Sequence, residues 1–100
     1  MIIRYLPEAL NDFDAAMAYY YERSPAAAQR FAEAVRAEER VIRDFPEMAY
    51  SLDGRLRNLP VTKFPYSLVY LLLEREILMV AVAHHKRRPK YWEARLQNAH

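Results

Sequence analysis

The sequence predicts an α+β domain with the order β-α-α-β-β-β, in which a helical hairpin lies on one face of an antiparallel sheet. Three observations carry this. Apolar residues recur at helical spacing over the first half of the chain and then switch to near-continuous runs in the second. Ser24-Pro25 punctuates the helical half once. Glu74-Arg75-Glu76 separates two strongly apolar stretches of strand length. At 100 residues, with 53% hydrophobic and 28% charged residues, the chain is about one domain and can bury a real core. We therefore read residues 1–100 as a single domain.

Residues 2–6, Ile-Ile-Arg-Tyr-Leu, are β-branched and aromatic enough for a short strand. Pro7 then suits the first turn of a helix, where no N–H is needed, and Glu8 complements the helix N-terminus. Leu10, Phe13, Met17 and Tyr20 share one helical face. Ser24 caps a second helix and Pro25 takes its first position. Ala28, Phe31, Val35, Ile42 and Phe45 form its stripe, with Ala32 beside it, and Pro46 ends it. So short a break at Ser24 makes the two helices an antiparallel hairpin. Of Tyr19, Tyr20 and Tyr21, which point in three directions, one or two belong to the core.

Residues 55–61 read as a modest strand, and 66–73 and 77–83 as a strong hairpin whose apolar character requires cover on both faces. Pro89 is positioned to start a short terminal helix carrying Tyr91, Trp92 and Arg95. One sheet face belongs to the helical hairpin. The other face, or a sheet edge, is left for a partner.

Composition excludes several classes. Without cysteine there is neither disulfide nor thiolate metal site, which fits a reducing cytoplasm. No signal peptide is visible, because Pro7 and Glu8 interrupt the first apolar run. No stretch of 18 apolar residues would span a membrane. His84 and His85 would alternate faces on a strand and make a poor metal pair. No cofactor is called for. Net charge is only +2, yet residues 84–90 read His-His-Lys-Arg-Arg-Pro-Lys, while Glu8, Asp12 and Asp14 gather near the first helix. A basic segment of this kind faces nucleic acid or an acidic protein surface, or is simply solvated.

Three stretches together give a more specific signal. They are Tyr19-Tyr20-Tyr21 with Ser24-Pro25, Ala28 and Phe31; Arg57 with Phe64-Pro65-Tyr66 and Val69-Tyr70; and Val80-Ala81-Val82-Ala83-His84 with Arg87-Arg88-Pro89, Tyr91-Trp92 and Arg95. In order and spacing they resemble the ParE branch of the RelE/ParE toxin superfamily, often called plasmid stabilisation proteins. The resemblance implies the toxin half of a type II toxin–antitoxin pair, held in check by a ParD-like or similar antitoxin that folds onto it. A sheet edge can also accept a strand from that partner. The implied target is DNA gyrase for ParE-like members, and messenger RNA in the ribosome for RelE-like members.

One residue favours the first target. The RelE-like nucleases carry an arginine directly after the tyrosine of the third strand, as in Tyr-Arg-Leu-Val-Tyr. Here the stretch is Tyr66-Ser67-Leu68-Val69-Tyr70. Cleavage through the 2′-hydroxyl needs a base, an acid and a fixed positive charge for the phosphate, and serine supplies no such charge. The expected contact surface is therefore Lys86, Arg87, Arg88, Lys90, Tyr91, Trp92 and Arg95, with Arg57 and Lys63 as further basic candidates. The nuclease alternative would use Arg87, Arg88 and Tyr91, with His84 or His85 as a base near neutral pH. Bland readings stand beside these. Arg57 can pair with a helix acid, His84 can be a satisfied structural histidine, Trp92 can pack the terminal segment onto the sheet, and Phe64-Pro65-Tyr66 can be strand-entry packing. A chain that binds only its antitoxin is a third possibility.

Overall fold

The computed structural model describes residues 1–97. Its elements are β1 (Ile2–Tyr5), α1 (Pro7–Arg23), α2 (Pro25–Asp44), β2 (Tyr50–Asp53), β3 (Leu56–Pro60), β4 (Tyr66–Leu72), β5 (Glu76–His84) and α3 (Glu93–Leu96). The helical hairpin forms where the sequence places it. Ser24 Oγ accepts the Ala27 N–H at 3.2 Å, and Pro25 follows as the first helical residue. Extended backbone at Ser24 separates the two helices with a single residue.

The five strands form one sheet in the order β1-β5-β4-β3-β2. Two features differ from the expected all-antiparallel arrangement. First, β1 runs parallel to β5, pairing Ile2 with Glu76 and Tyr5 with Met79, so the sheet is mixed. The direction of β5 is set by its hairpin with β4. The buried run of β5 needs a neighbour on its other side as well, and the N-terminal strand supplies it. Second, β2 precedes the modest strand and pairs antiparallel with it, making the outer edge of the sheet. The terminal helix is also shorter than expected. It starts at Glu93, not Pro89, and turns occupy the intervening residues.

The core is one cluster in which Phe31, Val35, Ile42, Leu68, Tyr70 and β5 residues Ile77 to Val82 are buried. Phe31, fully buried, has four aromatic neighbours: Tyr20, Phe64 and Tyr66 at 5.2 Å between ring centroids and Phe13 at 5.9 Å. The Phe64-Pro65-Tyr66 segment is thus packing, as one of its two readings held. Of the three consecutive tyrosines, only Tyr20 joins the core, and Tyr19 and Tyr21 are exposed. Tyr70 reaches the carbonyl of Pro46 at 2.7 Å and ties the sheet to the end of α2. On the opposite face, Tyr91, Trp92 and Leu96 pack against the cluster. The apolar strands are therefore covered on both sides. No helix among the described residues is long and apolar enough to cross a membrane.

Candidate functional site

Sheet register builds the floor of a cleft on the helix-free face. Pro60 pairs with Ser67, and Ser67 with Ala83, so the three form a row across β3, β4 and β5. The chain after β5 then turns back over this row. His84 accepts the Arg87 N–H through its carbonyl and the Lys86 N–H through Nδ1, each at 3.0 Å. Lys90 takes a left-handed conformation, φ 61°, between two further turns. The resulting cleft, of about 380 Å³, has Ser67 in its floor and Arg87, Arg88, Tyr91 and Trp92 in its walls.

Ser67 is 5% exposed, and its hydroxyl lies 2.8 Å from His85 Nε2. The serine is thus occupied by a neighbour brought round by the turn after β5. His84 packs edge-on against the Tyr66 ring at 4.9 Å, which fits its reading as a satisfied structural histidine. Arg87 stacks its guanidinium 3.9 Å from the centre of the Tyr91 ring. Arg88 lines the cleft and is exposed, whereas Lys86 and Lys90 are exposed outside its lining.

A second constellation fixes this segment from behind. Residue Val80 is the extra residue of a bulge, because Val69 pairs with Ala81 and Tyr70 with Met79. Its carbonyl accepts from Arg95 Nη1 at 3.0 Å. Asp12, on α1, accepts the Val82 N–H at 3.1 Å, and Arg95 at 2.7 and 3.1 Å. The Tyr91 hydroxyl also donates to Asp12, at 3.4 Å. One carboxylate and one guanidinium therefore satisfy backbone groups on the β5 edge beyond the end of β1. They also hold the returning chain. The hydrogen bond to Asp12 raises the Arg95 pKa above its ordinary value. Burial, and then the Asp12 charge, raises that of Tyr91.

Measured against expectation, the structure gathers Arg87, Arg88, Tyr91 and Trp92 around one cleft but not the remaining candidates. The Arg95 side chain is 15% exposed and engaged with Asp12, so it anchors the segment and is not part of its open surface. Arg57 donates to the carbonyls of Glu47 and Ala49, at 2.9 and 3.2 Å, and fastens the loop after α2. Its partners are backbone carbonyls, not a helix acid. Lys63 is exposed in a left-handed turn and does not line the cleft. Trp92 packs as one of its readings proposed. Asp12 and Asn58 were missed. Nothing local marks Asp12, because its partner Arg95 lies 83 residues away.

The family model described as the ParE toxin of type II toxin-antitoxin system, parDE, matches residues 3–89. The chain belongs to the ParE toxin family. No curated protein matches its sequence. Among solved structures, the chromosomal ParDE TA system from P. aeruginosa superposes with a TM-score of 0.72 at 17% identity, covering 84% of this chain and 95% of that one. At that identity the likeness is one of fold. The ParE family match takes in Ser67, His84, His85, Arg87 and Arg88 and stops at Pro89. Tyr91, Trp92 and Arg95, which complete the cleft and its anchor, lie beyond it.

Proposed function

We propose that this ParE-family toxin acts by binding DNA gyrase and trapping its cleaved-DNA intermediate, with no chemistry of its own. We further propose that a cognate antitoxin of the ParD kind neutralises it. The observation that carries the reading is Ser67. At the strand position where the nuclease branch holds an arginine, this chain has a buried neutral hydroxyl already hydrogen-bonded to His85. The floor of the cleft has no fixed cation for a scissile phosphate. Positive charge sits instead on Arg87 and Arg88, at its wall, where it suits contact with a target surface. The nuclease alternative also needs a tyrosine free to give up a proton. The Tyr91 phenol is turned to Asp12, and its raised pKa makes it a poorer acid. The likeness to a ParDE complex supports the antitoxin as partner.

The test is gyrase supercoiling with the purified chain, with and without the product of the adjacent antitoxin gene. Inhibition with accumulating cleaved DNA, relieved by the antitoxin, is the expected result. Arg87→Glu with Arg88→Glu should abolish inhibition and leave the fold intact, because both side chains are exposed and only the stack of Arg87 on Tyr91 is lost. An inert chain that instead cleaves ribosome-bound mRNA, and loses this with Tyr91→Phe, would transfer the assignment to the nuclease branch.

A further inference from the structure

Two lysines stand in backbone that suits glycine or asparagine. The Phe64 N–H donates to the Val61 carbonyl at 3.1 Å, and the Tyr91 N–H to the Arg88 carbonyl at 3.3 Å, so each pair closes a four-residue turn. Lys63 and Lys90 are third in these turns, with φ 71° and 61°. A positive φ at that place favours glycine or asparagine, because a longer side chain crowds the neighbouring carbonyl. Strain of this kind persists at sites where the side chain has a use. The fold itself makes no use of either lysine. Both are exposed, and neither forms an ion pair among the described residues. Glu38, the acid that reaches the first turn, accepts instead from the N–H and hydroxyl of Thr62, at 3.1 and 2.8 Å. Asp53 and Glu93 line the same hollow as Lys90 without pairing with it. The one remaining lysine is Lys86, in the basic segment, and every other cationic side chain outside the histidines is arginine.

Both turns border the cleft. The His85 N–H donates to the Pro65 carbonyl at 2.9 Å, which sets the turn of Lys63 against the start of the basic segment. Pro89 and Trp92 line both the cleft and the adjoining hollow that Lys90 lines. Lysines therefore flank the cleft on two sides, with Arg87 and Arg88 in its wall, and among the described residues no acid lines it. We propose that Lys63 and Lys90 are contact residues which, with Arg87 and Arg88, follow the phosphates of a DNA strand. A phosphodiester chain presents charge at regular intervals, which a spread row of cations matches. The cleft between them offers the Asn58 amide and the Trp92 ring, groups of the kind that meet sugar and base. The strand is that of the trapped cleaved intermediate, so the choice of DNA rests on the gyrase reading.

The test measures binding of the full chain to a fluorescently labelled DNA duplex without gyrase, over a range of salt. Lys63→Asn and Lys90→Asn should each lower the magnitude of the slope of log affinity against log salt by about 1. Their melting temperatures should equal or exceed that of the wild type, because asparagine accepts left-handed backbone. Bound duplex should also protect Lys63 and Lys90 from acetylation by an amine reagent, which on side chains can report only the three lysines. Slopes unchanged in both variants overturn the proposal, as does a wild type that binds no duplex at low salt. Falling melting temperatures overturn it too, and make the lysines structural. Variants that lose binding to gyrase free of DNA, while their binding to duplex is unchanged, overturn it in favour of an acidic protein surface. Duplex binding as expected beside untouched supercoiling supports these contacts and removes the gyrase reading alone.

Discussion

Asp12 shows how much one side chain can hold in this molecule. It receives the backbone N–H of Val82, Nη1 and Nη2 of Arg95 and the Tyr91 hydroxyl, and its side chain is 12% exposed. Breaking such a pair leaves the surviving charge without its partner. Asp12→Ala should therefore cost about 3 kcal/mol in a urea titration, and Arg95→Met a comparable amount, since it leaves the Asp12 carboxylate without its partner. Gyrase inhibition should fall in both, because the segment bearing Arg87 and Arg88 loses its anchor. Ser67 was legible as a departure from a family pattern, but its bond to His85 was not. That contact depends on where the turn after β5 returns, and no spacing along the chain encodes it. Arg95 was misplaced for a related reason. A run of basic residues reads as one surface, whereas the fold turns this arginine away from the others.

The elements that could be read were those built from local rules. Periodicity and the Ser24-Pro25 signal were enough for α1 and α2. Ser24→Ala should cost about 1 kcal/mol of stability, because it removes the acceptor for the Ala27 N–H. Hairpin β4–β5 was legible from two apolar runs and a polar reversal. Strand β2 was not, because Tyr50 to Asp53 is short, exposed on every residue and strand-like only through its pairing with β3. The parallel setting of β1 was also hidden, since it is fixed by a partner across the whole chain. The core behaves as an element in its own right. Phe31→Ala should cost about 3–5 kcal/mol, as it empties the centre of the aromatic cluster contributed by both helices and β4.

At the scale of the whole molecule, five phenols lean the same way. Tyr5, Tyr20, Tyr66, Tyr70 and Tyr91 all have pKa values raised above the ordinary 10.0, burial being the first cause in each. A raised pKa means that the folded state keeps a proton which the unfolded state gives up. Their contribution is therefore complete below about pH 10 and is lost as pH climbs through the folded values. Thermal melts should show a steep decline above pH 10, and Tyr5→Phe, which removes the phenol with the largest shift, should flatten part of it.

The pairing of β1 with β5, and of Asp12 with Arg95, also has a consequence in time. The N-terminal strand and helix are made first, but the groups that complete them come nearly last in the described chain. A nascent chain that reaches only to the end of β4 has β1 without its sheet partner, and one that stops before Arg95 leaves the Asp12 carboxylate without its guanidinium.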